Sequence, residues 1–382
     1  MRCTPEAIAA ALGDIDARNL RRRRELAPDG RLNFCSNDYL GLATDERLSS
    51  AMAEAARQLG AGAGASHLIS GHSAEHDALE RELAEFTRRE RALVFSTGYM
   101  ANLGVLSALA DRHAVLIADE LNHASLIDAA RLVRSSSNYR YPHGDAAEAT
   151  CLLDTHAPTS EVNGSGTFLI TDGVFSMDGD LAPLPELADA VARHHGWLIV
   201  DDAHGLGVVG ETGRGSCELH GLSARHVPVL IGTFGKAFGT FGAFIAGDAD
   251  VIELIMQRAR TYIYTTALPP AVAAATRMAL AIVHEESWRR DHLNSLISRF
   301  REGATSRGIH LMHSTTPIQP MVLGSAEAAL SASAKLSAAG FRVTAIRPPT
   351  VPLGTARLRI TLSAAHSESQ IDQLLVALEA AI

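Results

Sequence analysis

The chain has 382 residues, which at about 150 residues per domain suggests two to three domains. Hydrophobic residues make up 47% and charged residues 20%, enough for a substantial core and too apolar for a disordered chain. Thirty-four basic against forty-three acidic residues give a net charge of −9. That excludes a dedicated nucleic-acid binder, which carries a basic domain, while an anionic substrate would need a local basic patch.

Residues 4–25 predict a helix ending in the run Arg21–Arg24, followed by a Pro28-Asp29-Gly30 turn. Ala51–Leu59 predicts a second helix, leading into the glycine-rich loop Gly60–Ala65. Ser73 is placed to N-cap a helix running to about Arg89, with Leu79, Leu83 and Phe86 on one face. Apolar runs at 91–95, 114–118, 167–171, 197–200, 228–231 and 241–246 then predict buried strands, with amphipathic stretches between several of them. This alternation implies an α/β domain with a mostly parallel central sheet. Residues 270–306 are helical in pattern. In the tail, strand-like runs at 319–323, 341–346 and 356–361 and helices near 326–339 and 368–381 predict a smaller C-terminal α+β domain. The division expected is an N-terminal arm over 1–37, a large domain over 38–275 and a small domain over 276–382.

Ala92–Ala110 is uncharged, but Ser96, Thr97, Gly98, Asn102, Gly104 and Ser107 interrupt it, so no membrane span is expected. The apolar stretch Ile8–Leu12 is too short for a signal-peptide core. Cys3, Cys35, Cys151 and Cys217 form no CxxC pair, which argues against a zinc ribbon or disulfide framework and for a reducing, cytoplasmic setting.

Three motifs point in misleading directions. Gly205-x-Gly207-x-x-Gly210 follows a strand, but a dinucleotide site also needs a helix opening at the loop, and Glu211–Gly215 reads as loop. Gly235-Lys236 resembles the end of a P-loop, yet Leu230 and Ala237 stand where glycine and Ser/Thr are required. His72-x-x-Glu75-His76 fits a zinc-peptidase pattern, but no third ligand stands out among seventeen histidines, so a polar helix entry is the plainer reading and no metal is expected.

Three other features belong together. Asp201-Asp202-Ala203-His204 follows the strand Trp197–Val200, Thr233-Phe-Gly-Lys236 follows the strand at 228–231, and Ser96-Thr97-Gly98-Tyr99 joins a strand to a helix. Asp119, Asp172 and Asp201 end three successive strands, and ligands of open α/β sheets sit outside those carboxyl ends. A lysine between glycines suits a Schiff-base amine whose pKa is lowered by partial desolvation. A carboxylate at a strand end can hold a pyridinium proton, making the ring an electron sink. A Ser-Thr-Gly loop opening a helix offers backbone N–H groups to a phosphate. Together they describe pyridoxal 5′-phosphate (PLP).

On these motifs, and on Asn33–Leu42, Leu121–Leu126, Gly173–Asp180 and Val200–Gly205, the sequence resembles the α-oxoamine synthases, PLP enzymes of fold type I, almost from end to end. Segments 345–352 and 354–362 favour a member that condenses L-alanine with a pimeloyl thioester, carried on CoA or acyl carrier protein. Another member of the family, or a PLP aminotransferase, is the alternative. The resemblance implies that Lys236 bonds to the cofactor, Asp201 pairs with its ring nitrogen, His204 and Ser176 touch its phenolic oxygen, and His123 stacks on the ring. It implies Thr233, Gly98 and Tyr99 at the phosphate, joined by Thr265 and Thr266 from the other subunit of a homodimer. Arg359, with Asn37 nearby, is implied for the amino-acid carboxylate, and Arg21, Thr350 and Arg347 for the substrate or product chain. The polar stretch 155–166 departs from the family as a longer surface loop.

Overall fold

The apolar runs of the central segment become strands because their side chains are buried on both faces, as a parallel sheet covered by helices requires. A computed structural model describes residues 4–22, 24, 26, 30–133, 137–157 and 166–382. Cys3, Arg23, the start of the expected turn at Pro28-Asp29 and most of the 155–166 stretch lie outside the described residues. The strands are β1 (Arg91–Phe95), β2 (Val115–Asp119), β3 (Ser137–Tyr141), β4 (Thr167–Asp172), β5 (Trp197–Asp201), β6 (Val229–Thr233) and β7 (Ala243–Gly247), in the order β1-β7-β6-β5-β4-β2-β3. β7 runs antiparallel to both β1 and β6, and the remaining pairs of this sheet are parallel.

The register places Asp172 beside Asp201 and Asp201 beside Ile231, so the acidic strand ends share one edge. Leu116, Ile170, Ile199, Ile231 and Ile245 form a continuous buried layer on one face. Helices Gly98–Leu109, Ala124–Leu132 and Ala249–Arg258 cover that layer. Helices Ala74–Thr87 and Leu184–Ala192 also pack against the sheet strands. The sequence reading missed β3. Its residues are polar and partly exposed up to the buried Tyr141 because, among the described residues, it is an edge strand paired with β2 alone.

The chain forms two units, Asn37–Ser176 with Asp180–Asp291, and Met1–Ser36 with Met177–Gly179 and His292–Ile382. The expected boundary at 275/276 would cut the helix Pro270–Glu285. That helix stays whole in the larger unit because it packs on helices Glu46–Leu59 and Ala74–Thr87. In the smaller unit, β8 (Ile318–Gly324), β9 (Thr344–Ile346) and β10 (Ala356–Thr361) form an antiparallel sheet in the order β9-β10-β8. Leu32–Asn33 pairs with Phe341–Arg342, which ties the N-terminal arm into this unit.

The first helix spans Pro5–Ala17, shorter than the expected 4–25. Asn19 takes a left-handed φ of 55°, and the Leu20 amide returns to the Ile15 carbonyl at 2.9 Å, which closes the helix before the arginines. Arg21 and Arg22 therefore follow the helix instead of ending it. Among the described residues no helix is long and apolar enough to cross a membrane; the uncharged run 92–110 divides between β1 and the helix Gly98–Leu109.

Ile199 is fully buried in the middle of β5. Ile199→Ala should cost about 2–5 kcal/mol in urea unfolding, from lost transfer energy plus the cavity. A loss below about 1 kcal/mol would contradict the packing described.

Candidate active site

Asp201 ends β5 with only 7% of its surface exposed. A buried carboxylate needs donors, and two are present. The Ala203 amide donates to Oδ1 at 3.0 Å, and Asn102 Nδ2 donates to Oδ2 at 2.6 Å. Asn102 Nδ2 also donates to Ser125 Oγ at 2.8 Å, and Ser125 Oγ lies 2.6 Å from His123 Nδ1. One hydrogen-bonded chain thus links Asp201 to His123 through two fully buried side chains.

His123 is also fixed through its backbone, which donates to Asp172 Oδ2 at 3.1 Å. Beside it, Asn122 clasps β4, donating to the Ile170 carbonyl and accepting from the Asp172 amide, both at 2.9 Å. Desolvation lowers the His123 pKa; Asp201 opposes the shift and Lys236 adds to it. Burial, reinforced by Asp201, pushes Asp172 well above the usual carboxylate range, with Lys236 acting against it. Lys236 is half-buried in the turn after β6, between the fully buried Phe234 and Phe238, and its charge reaches His123, Asp172 and Asp202.

His204 is buried, and its Nδ1 lies 2.7 Å from the hydroxyl of Tyr39, itself fully buried beside Asn37. Asp202 points away to Ser216, accepting from its amide at 2.6 Å and its hydroxyl at 2.8 Å. A Cβ on Gly205 would lie 2.2 Å from Asp202 Oδ1, and Gly207 and Gly210 both adopt a φ of +88°. Gly205 packs against Asp202, Gly207 against Ala237 and Gly210 against Glu218, and no helix opens at Glu211–Gly215, so the nucleotide-like motif is a structural turn.

The helix Gly98–Leu109 is capped by Thr97, whose Oγ1 accepts from the Met100 amide at 3.1 Å. A Cβ on Gly98 would meet nothing within 4 Å, so this N-terminus opens onto free space. Ser96 Oγ donates to the Thr266 carbonyl at 3.4 Å, bringing the Thr265–Thr266 segment alongside. The hydroxyls of Tyr99 and Thr233 bond to Asp128 and to the Gly242 carbonyl. Ser176 is half-buried shortly after β4.

The remaining candidates belong to the smaller unit. Arg359 is buried in β10, opposite Thr344 and Pro320. Arg21 and Arg347, with Arg31 and Arg342, line a cavity of about 930 Å³. Arg21 makes a two-pronged pair with Asp16 at 2.7 Å, Arg347 donates to the Asn19 carbonyl, and Thr350 accepts from Arg22 at 3.5 Å.

The structure corrects the expectation that His72 and His76 lack a third histidine, because the turn His67–Gly71 brings His67 beside them. His76 is nevertheless occupied. Its Nδ1 accepts from the Ser73 amide at 3.0 Å as part of a capping box, and its Nε2 meets the Leu268 carbonyl at 2.6 Å. The pattern serves helix entry.

Sequence reasoning missed Asn102, Ser125 and Tyr39 as functional residues. Asn102 counted there only as a polar break in an apolar run; a buried amide one turn into the helix after Ser-Thr-Gly was the available signal. The donor set suits a ligand with an anionic end, a basic ring nitrogen and an amine-reactive group. Asn102 Oδ1 and Asp172 Oδ1, both buried, have no partner among the described residues.

Residues 29–378 match the family model described as aminotransferase class I and II. An 8-amino-7-oxononanoate synthase of Methylococcus capsulatus is 56% identical, covering 98% of both chains. Among solved structures, 8-amino-7-oxononanoate synthase from Francisella tularensis is 31% identical with a TM-score of 0.79, over 92% of this chain and 98% of that one. A serine palmitoyltransferase variant from S. paucimobilis, holding PLP bonded to myriocin, is 28% identical with a TM-score of 0.89, over 99% and 96%. The chain belongs to the α-oxoamine synthase branch of the class I and II aminotransferases. The fold is that of the PLP-dependent type I transferases, with a mostly parallel central sheet.

Burial pushes Asp202 up to about 7, so its folded pKa lies above its unfolded one. The folded state then binds the extra proton, and stability falls as pH rises from about 4 to about 7. Asp202→Asn, whose amide can still pair with both Ser216 groups, should flatten that dependence. The wild-type loss across the window should reach at most about 4 kcal/mol. Equal slopes for the two proteins in urea unfolding would contradict the assignment.

Proposed function

We propose that this α-oxoamine synthase is an 8-amino-7-oxononanoate synthase, condensing L-alanine with a pimeloyl thioester, with loss of CO₂ and the thiol, in biotin biosynthesis. The observation that carries the chemistry is the Lys236 amine sharing one electrostatic environment with His123 and Asp172 beside the buried Asp201. The choice of substrates rests on relatives of that name matching nearly the whole chain.

PLP, when bound, supplies an aldehyde that bonds to amines and a ring that takes up the electron pair released at Cα or by decarboxylation. Asp201 holds the proton on the ring nitrogen, and Asn102 and the Ala203 amide keep its oxygens aimed. His204, steadied by Tyr39, and Ser176 serve the phenolic oxygen. The open helix N-terminus at Gly98, with Tyr99 and Thr233, takes the phosphate. In a homodimer, Thr265 and Thr266 of one protomer complete that site in its partner. Lys236, once freed as an amine, removes the alanine Cα proton and later returns one. His123 covers the ring and can protonate the thioester oxygen. Arg359 and Asn37 orient the alanine carboxylate, and Arg21, Arg347 and Thr350 meet the acyl chain. The carrier is CoA or acyl carrier protein. The unpaired Cys35, Cys151 and Cys217 suit a reducing cytoplasm.

The test is turnover of pimeloyl-CoA with L-alanine, glycine or L-serine, products identified by mass. 8-Amino-7-oxononanoate formed with alanine preferred is the expected result; preference for glycine or serine would overturn the substrate assignment. Lys236→Ala should retain PLP by absorbance yet lose turnover by about 10⁴-fold or more. Arg359→Ala should raise the KM for alanine by roughly 10- to 100-fold, the worth of a charged hydrogen bond. A change confined to the KM for thioester would contradict that role.

A further inference from the structure

His143 lies just past β3 and has no part in the mechanism above. Its Nδ1 is 3.1 Å from Asp119 Oδ1 and 3.3 Å from Oδ2, and its Nε2 is 2.9 Å from Asp180 Oδ2. A neutral imidazole has one N–H and can serve one carboxylate, whereas an imidazolium serves both. Burial opposes that charge, but the two carboxylates outweigh it and hold the pKa up to about 10. The ring also meets Phe175 edge-on, with centroids 4.3 Å apart.

Each carboxylate anchors a segment leading to a residue assigned to the cofactor ring. Asp119 is 1% exposed and accepts from the Leu121 amide at 2.8 Å and the Gly144 amide at 2.9 Å. Its backbone carbonyl accepts from the Asn122 amide at 3.3 Å, and Asn122 directly precedes His123. Asp180 closes the loop after β4. Its carbonyl accepts from the Phe175 amide at 3.0 Å, and Phe175 directly precedes Ser176. Val174 and Leu181 bridge the same loop. His143 is also held from the Asp119 side, its own amide donating to Glu120 Oε1 at 3.3 Å.

We propose that His143 is a positioning residue, a cationic clamp between Asp119 and Asp180 that sets His123 and Ser176 against the PLP ring together. The inference rests on the proposed roles of His123 and Ser176. It requires neither cofactor contact nor proton transfer by His143.

The experiment compares wild type, His143→Gln, Asp180→Asn and the double variant. PLP affinity and the visible circular dichroism per bound PLP are measured without substrate, alongside melting temperature and the steady-state constants. Expected are an altered visible signal, a kcat lower by roughly 10- to 100-fold, a KM for alanine within threefold of wild type, and a double variant no worse than the worse single one. Should His143→Gln fail to fold, Asp180→Asn alone carries the same expectations. A lowered melting temperature with visible signal and kcat unchanged in the PLP-loaded protein would make His143 merely structural and overturn the proposal. A wild type that takes up no PLP would instead overturn the reading of the site itself.

Discussion

The site depends on one buried carboxylate held in place at the end of a buried strand. A carboxylate taken out of water must be repaid in hydrogen bonds or it takes up a proton. Asp201 receives them from the Ala203 amide and from Asn102, whose side chain comes from the helix that follows β1. Because the same amide nitrogen reaches Ser125, the Asn102 side chain couples the orientation of Asp201 to that of His123. A shift of the helix Gly98–Leu109 would disturb Asp201, His123 and the open helix N-terminus at Gly98 at once, the groups proposed for the ring nitrogen, the ring face and the phosphate. Preorganised polar groups of this kind do not have to reorganise when charge develops on a ligand.

Two further carboxylates lie at the same strand ends. Asp172 and Asp202 lie as deep, and burial pushes both upward. Asp172 receives the His123 amide, and Asp202 is turned toward Ser216. Parallel register brings Asp172 beside Asp201, so the edge concentrates acidic groups that cannot all ionise cheaply. Lys236 relieves part of that cost by its charge, as its lowering effect on Asp172 and Asp202 shows. The lysine and the acidic edge therefore stabilise each other.

Much of this was legible in the sequence because it follows local rules. Six strands announced themselves as apolar runs, Ser73 as a cap and Asp201 as an acid at a strand end. The helix Glu368–Ala381 and the strand Ala356–Thr361 fall where periodicity put them. The misses have physical causes as well. β3 is polar because, among the described residues, it pairs along one edge alone. The first helix stops early because Asn19 turns left-handed, which charge patterning does not reveal. Asn102 and Tyr39 act on partners 99 and 165 residues away, and no pattern in one chain encodes such pairings. The helix Pro270–Glu285 belongs wholly to the larger unit through helix packing that its own residues do not announce.

In the proposed function, Asp201 keeps a proton on the ring nitrogen of the bound cofactor and Asn102 keeps Asp201 aimed. The most direct measurement is the ¹⁵N NMR shift of ring-labelled PLP in the wild type, Asp201→Asn and Asn102→Ala. A protonated ring nitrogen across neutral pH is expected in the wild type, an unprotonated one in Asp201→Asn, and a lowered nitrogen pKa in Asn102→Ala. A wild-type nitrogen that is unprotonated at neutral pH, or a shift the same in all three proteins, would contradict it.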